Sequence, residues 1–362
     1  MIDFFEQKEW FSSRKWGMFN HFINIEKSNW RNNGIAYKDF NERVNNFDVK
    51  QYARTVYELN AGYVFFTLMQ CHKYICAPNY TFNQITGLKT GEGCSERDLI
   101  ADLIEALDKY DIPLFLYYTG DGPLRDKEVG EKMGHIEGGE PVNSEFCKNW
   151  SAVMEEYAKR YGKSVHGWWV DGCYDRSGYS NENKLLKYYA DAAKSGNPDS
   201  LIAFNNGVVR PLYNLPEFES YYPNEDNPQK RIIALWKAIQ NGDDRPRKAF
   251  DNIPGASIRY SDFEDFCANE SNEFEEECKE KYVDGSLWHK LSFLGIPTYD
   301  DDLWGSAGWN MPGCKYSGEY MKNYVSNVNK VGGVISIDTC LFDDGTTDRG
   351  QYEVLKYLSD LR

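Results

Sequence analysis

The sequence predicts an α/β fold of the (β/α)8 TIM-like barrel class, with one domain filling residues 1–362. Three observations lead there. Short runs rich in β-branched and aromatic residues alternate with amphipathic stretches from end to end, which implies parallel strands joined by right-handed crossovers. About eight such units fit a chain of 362 residues, the size of one barrel. No glycine-rich phosphate loop follows the first strand, and no P-loop pattern occurs anywhere, so an open nucleotide-binding sheet is disfavoured.

Taken in order, Trp16–Ile23 and Tyr63–Met69 read as the first two strands. A helix is expected near Glu96–Tyr110, where Ser95-Glu96-Arg97-Asp98 resembles a capping box. Pro113–Thr119 is the third strand, and Phe146, Trp150, Val153 and Tyr157 then fall on one face of a helix. Val165–Asp171 is the fourth strand, followed by a helix around Asn183–Ala193. Ser200–Asn206 and Phe218–Tyr222 read as strands five and six, and the pattern between 240 and 300 gives no clear strand. Gly333–Thr339 is the last strand and Gln351–Leu361 the last helix.

The fourth strand carries the sharpest signal. Val165-His166-Gly167-Trp168-Trp169-Val170 is strand-like and stops abruptly at Asp171-Gly172. The C-terminal ends of barrel strands are where catalytic side chains sit, so Asp171 is a candidate nucleophile, base or metal ligand; capping of the next turn is the plain alternative. At the same expected edge lie His21, the Gln70-Cys71-His72 cluster, Asn205-Asn206 and Glu225. His166, inside the strand, reads as a core histidine.

Composition narrows the partners. The 26 Tyr, 20 Phe and 10 Trp supply the flat apolar surface on which sugar rings stack, although an aromatic core would need them too. Trp304 and Trp309, set among glycines in Leu303–Trp309, fit a sugar platform or core packing. A net charge of −15 argues against nucleic acid and against an anionic membrane surface. The acidic stretch Asp262–Glu280 is expected to be a solvated face. Nine scattered cysteines suit reduced thiols, and Cys71-His72 with Cys76 lacks the second cluster that zinc needs, so no metal and no cofactor is expected. Met1–Lys8 shows no basic region followed by an apolar run, and no stretch approaches membrane-spanning length, which gives a cytoplasmic expectation. Oligomeric state is not readable.

At this point the residues carry a resemblance. Trp10-Phe11 with Lys15-Trp16-Gly17-Met18-Phe19-Asn20-His21 resembles the opening of the family 29 α-L-fucosidases, whose first strand ends in a sugar-binding histidine. Ala61-Gly62-Tyr63-Val64 is similar to the start of their second strand, and Trp168-Trp169-Val170-Asp171-Gly172 to the strand that delivers their aspartate nucleophile. Trp304-Gly305 and Asn327–Gly333 resemble the segment before their last strand. The chain departs where the family has a histidine pair within K-H-H-D-G-F. Here the stretch is Met69-Gln70-Cys71-His72-Lys73-Tyr74. The β-sandwich domain of many relatives is also absent from these residues.

The resemblance implies a retaining exo-glycosidase acting on a carbohydrate substrate through a covalent glycosyl-Asp171 intermediate. Hydrolysis of this kind needs two carboxyl groups flanking the anomeric carbon. Asp171 must be ionised, with His21 or Tyr118 as the expected donors, while the second carboxyl must hold a proton. Glu225, after the sixth strand, matches the family's acid/base position, with Glu217 and Glu219 as alternatives. His21, Gln70, His72, Tyr118, Trp169, Asn205, Trp304 and Trp309 are the expected substrate contacts. A galactose-like or modified hexose in place of fucose, and a barrel that binds sugar without catalysis, stay open as alternatives.

Overall fold

The computed structural model describes residues 4–23, 37–123, 126–135, 142–174, 177–207, 216–226, 259–297 and 308–362, with a few positions between 230 and 246. Nine strands occur among them: β1 (Trp16–Asn20), β2 (Val64–Thr67), β3 (Leu114–Thr119), β4 (Val165–Asp171), β5 (Leu201–Phe204), the short pair β6 (Tyr282–Val283) and β7 (Ser286–Leu287), β8 (His289–Phe293) and β9 (Val334–Asp338). Seven of these form one sheet in the order β5-β4-β3-β2-β1-β9-β8, and every pairing in it is parallel.

The eighth stave is segment 265–271, interrupted by one left-handed residue, Asn269, at φ 45°. It runs parallel to β7 and β8 through the bridges Phe266–Leu287 and Glu270–Leu291. Cys267 N–H donates to Leu287 O at 3.0 Å and Ser271 N–H to Leu291 O at 2.9 Å. On its other side Asp265 N–H donates to Ile202 O at 2.7 Å, which brings the segment to β5 and closes the curl.

Alternation along each strand divides the core in two. Met18, Phe66, Leu116, Trp168, Ile202 and Ile335 face outward and pack with the helices, including Trp150, Val153 and Tyr157 of the helix Ser144–Tyr161. Phe19, Phe65, Phe115, Tyr117, Trp169, Ala203 and Leu291 face inward and fill the barrel. Phe11, from the helix Phe4–Ser13, plugs the base: its ring centroid lies 4.9 Å from those of Tyr63 and Phe115. So aromatic an interior leaves no room for side chains at two strand positions. A Cβ on Gly17 would sit 2.5 Å from the Tyr63 ring, and one on Gly167 would sit 2.5 Å from Phe115.

Several expected elements shift. Phe218–Tyr222 is not a strand but the end of a 3-10 turn, Pro216–Tyr221, in which Phe218 and Tyr221 stack at 5.9 Å. The helix expected from residue 96 begins at Leu99: Asp98, rather than Ser95, caps it by accepting Ala101 N–H at 2.9 Å. The last helix is Arg349–Leu355 with a 3-10 turn Lys356–Leu358.

The acidic stretch 262–280 is not a uniformly solvated face. Glu275 and Glu277 are exposed, but Glu264 and Asp265 are buried at the barrel's base. Asp265 accepts Lys194 Nζ at 2.9 Å and Ile202 N–H at 3.0 Å. Glu264 accepts the backbone N–H groups of Tyr260 and Ser261 at 3.0 and 3.3 Å.

Candidate active site

Asp171 ends β4 on the inward parity of Gly167 and Trp169, so the strand that buries Trp169 in the barrel lifts the next inward side chain to its mouth. The chain then turns sharply at Gly172, whose φ is +70°, and a Cβ there would meet Asp121 Oδ1 at 2.2 Å. The glycine after the carboxylate is a steric requirement of this turn.

Three donors converge on Asp171. Tyr117, inward on the neighbouring β3, donates from Oη to Asp171 Oδ2. Asn205 Nδ2 donates to Oδ1 at 2.7 Å, and Tyr174 Oη reaches Oδ1 at 3.4 Å. Burial first, and then the Asp171 charge, push the Tyr117 phenol well above its usual range, so it remains an O–H donor. Tyr174 is raised by burial and then by the charges of Asp171 and Glu270.

Glu270 is the second carboxylate. It stands at the C-terminal end of the eighth stave, and the same Asn205 Nδ2 that serves Asp171 also donates to Glu270 Oε2. Asn205 is 1% exposed and follows β5 directly. Its backbone is fixed to β4 and the turn after it, N–H to Val170 O at 2.8 Å and O from Cys173 N–H at 3.1 Å.

His21, beyond the end of β1, forms the opposite wall. Its Nδ1 lies 2.9 Å from Gln70 Oε1 and its Nε2 lies 3.3 Å from Asp338 Oδ2. Its ring meets Tyr117 edge-on at 5.3 Å and Trp309 at 6.4 Å. Thus Asp171, Asn205, His21, Gln70 and Trp309 belong to one connected mouth, linked through Tyr117. Trp304 lies outside the described residues.

Other expected contacts are corrected. Tyr118 faces away from Asp171: it is fully buried among the helices, stacked on Trp150 at 5.1 Å and donating to Trp150 O at 2.9 Å. The donor is its neighbour Tyr117, because successive strand side chains take opposite faces. Trp169 is 1% exposed and packs edge-on against Phe19 at 5.4 Å, as a floor beneath the site rather than a platform in it. His72 turns to Asp126, its Nδ1 3.6 Å from Oδ2. Glu225 is half-buried with Lys230 Nζ 3.7 Å from Oε2, and Glu217 and Glu219 are exposed. The carboxylate joined to Asp171 is Glu270, which sequence reasoning missed. Its signal was Phe266-Cys267-Ala268 followed by Asn269-Glu270, a short apolar run with an acid two residues beyond it.

A parallel barrel with two carboxylates sharing one donor at its C-terminal mouth has the architecture of a barrel glycoside hydrolase. The α-L-fucosidase family model matches residues 3–243. The chain belongs to the α-L-fucosidase family and is a glycoside hydrolase. It is similar in structure to an α-L-fucosidase from Bacteroides thetaiotaomicron, at 13% identity and a TM-score of 0.57, over 98% of this chain and 73% of that one. It is also similar to AlfC from Lactobacillus casei in complex with α-L-fucose product, at 12% identity and a TM-score of 0.55, over 98% of both chains. AlfC in complex with Fucα(1,6)GlcNAc matches at 14% identity, with a TM-score of 0.55 and 98% of each chain covered. No curated protein matches the chain. Among the described residues no helix is long and apolar enough to cross a membrane.

Proposed function

We propose that this protein hydrolyses a terminal α-L-fucoside with retention of configuration, Asp171 acting as nucleophile and Glu270 as acid/base. The observation that carries the reading is the shared Asn205 amide. Two oxygens that share one donor nitrogen at hydrogen-bond distance lie within about 5–6 Å of each other. That supports the spacing of retaining enzymes, about 5–5.5 Å, over the wider gap that inversion needs for a water.

In the first step Asp171 attacks the anomeric carbon, the bond to the aglycone oxygen breaks, and the Glu270 proton goes to that oxygen. In the second a water attacks the same carbon, gives its proton to Glu270, and Asp171 leaves as a carboxylate. His21 and Trp309, walling the mouth, would bind the sugar. The fucoside itself is supported by family membership and by what the similar structures hold, fucose product in one and Fucα(1,6)GlcNAc in another. One observation favours a second reading, a related sugar: Gln70, where the family's histidine pair is expected, spends its Oε1 on His21 and so alters the hydroxyl contacts.

The test is hydrolysis of an aryl α-L-fucoside beside aryl galactosides, glucosides and xylosides, with Asp171→Asn as control. Fucoside turnover that vanishes in the control supports the reading; turnover of another glycoside alone moves the specificity; silence on all of them favours a binding-only barrel. Glu270→Gln and Glu225→Gln then separate the acid/base. The true acid/base variant loses most activity on a poor leaving group and keeps more on an activated one.

A further inference from the structure

The Asn205 side chain is oriented by the fold before any sugar arrives. Its Oδ1 accepts Gly207 N–H at 3.0 Å, which leaves Nδ2 as the end that faces the carboxylates. That nitrogen carries two hydrogens, and each has a carboxylate to meet, Asp171 Oδ1 on β4 and Glu270 Oε2 on the eighth stave. We infer that Asn205 is a positioning residue rather than a sugar contact: its one amide nitrogen sets the spacing of Asp171 and Glu270 and accompanies the negative charge as it passes between them. The inference rests on the roles proposed above for the two carboxylates.

The chemistry gives the tie its purpose. In the free enzyme the charge sits on Asp171. Once the glycosyl ester forms, Asp171 is neutral and Glu270, having given up its proton, carries the charge. After water attacks, the charge returns. A donor aimed at only one carboxylate would stabilise half of the cycle and oppose the other half. A donor with a hydrogen on each favours the charged partner in both, with no rearrangement between steps, as preorganised catalysis requires. Tyr117 and Tyr174 direct their hydroxyls to Asp171, while Asp121 and Cys71 act on those tyrosines only to raise them further. His21, from β1, faces Tyr117, Gln70 and Asp338.

The experiment compares wild type with Asn205→Ala and Asn205→Asp. Asn205→Asp retains an oxygen for the Gly207 N–H and so keeps the turn if the smaller side chain does not. Loss of a preorganised donor of this kind lowers kcat about a hundredfold or more, and the inference expects that loss with KM little changed in both variants. An amide N–H favours the ionised form of any carboxylate it meets, so both limbs of the pH–rate profile in Asn205→Ala should move to higher pH. A KM increase with kcat preserved would make Asn205 a sugar contact and overturn the inference, as would an unchanged profile. Carboxyl 13C titrations by NMR read the tie without turnover, with Asp171→Asn and Glu270→Gln assigning the two resonances. If no glycoside is hydrolysed, the proposed function fails, but the titrations still decide. Both midpoints rising in Asn205→Ala supports the tie, and neither moving overturns it.

Discussion

Replacing Glu264 by Gln should make the protein's stability much less sensitive to pH. Glu264 is 3% exposed, and burial pushes its carboxyl from 4.5 up to about 8, against the pull of two backbone N–H groups and the Arg259 charge. Above the ordinary value the unfolded chain has released this proton while the folded chain still holds it. The folded state therefore binds more protons, and stability falls as pH rises through the window from 4.5 to about 8. Each whole pH step inside it costs about 1.4 kcal/mol. From about pH 5 to about pH 7.5 the wild type thus loses about 3 kcal/mol through this one side chain. Glutamine has no proton to lose. It can keep one acceptor for the Tyr260 or Ser261 N–H and forgo the other, an offset that does not vary with pH. The Asp265–Lys194 pair and Lys8 are common to both proteins, and their own pH dependence largely cancels in the difference. Urea unfolding of both across this range should show the variant gaining about 3 kcal/mol on the wild type. Parallel stability curves would refute the argument and mean that the buried carboxyl ionises with the rest.

Three further outcomes are expected. Asp171→Asn should abolish nearly all turnover yet unfold at the wild-type temperature, because the amide keeps the size and can still accept from Tyr117; a fully active variant would end the nucleophile assignment. Tyr117→Phe and Tyr118→Phe should separate cleanly. The first removes a donor to Asp171 and lowers kcat/KM about 10- to 100-fold, at about 1.4 kcal/mol per tenfold. The second loses a buried bond to Trp150 O, costs about 1 kcal/mol of stability and leaves kcat/KM alone. Gly167→Ala should destabilise the barrel by at least 1–3 kcal/mol in thermal unfolding, roughly the overpacking cost. Its new methyl would sit 2.5 Å from the Phe115 ring and 2.6 Å from Leu201 O, a carbonyl that cannot swing aside.

Most strands that pair along their length are legible in the sequence; β8, laddered to β9 throughout, is not, because His289, Lys290 and Ser292 break its apolar run. β1 to β5 and β9 are runs of β-branched and aromatic residues held by continuous ladders, and pattern and structure agree there. The eighth stave is different in kind. Segment 265–271 contains Asp, Asn and Glu, which strands disfavour, and it is held by isolated bridges and a few main-chain bonds. It lies within a stretch whose charge suggested solvent. Because that stave is hidden in the sequence, so is Glu270, and the second carboxylate expected from the sequence falls after a sixth strand that is instead a 3-10 turn. Phe218 and Tyr222 there are buried as a strand's would be, so burial pattern alone could not separate turn from strand. The exchange of Tyr118 for Tyr117 was a matter of parity. Asp171 is an inward residue, Thr119 stands opposite it in register, and alternation from Thr119 selects Tyr117.

The weak lateral joint of that stave has a mechanical consequence. Asp171 is bonded into a strand with full ladders on both flanks, so its position is inherited from the whole sheet. Glu270 lies on a stave that, among the described residues, has few main-chain bonds to β5, and Asn205 bridges it to Asp171 across that seam. The Asn205 tie therefore links a carboxylate carried by a fully laddered strand to one carried by a stave with fewer lateral bonds. On the roles proposed for Asp171 and Glu270, substitutions along segment 265–271 are expected to change leaving-group preference more than the attacking step.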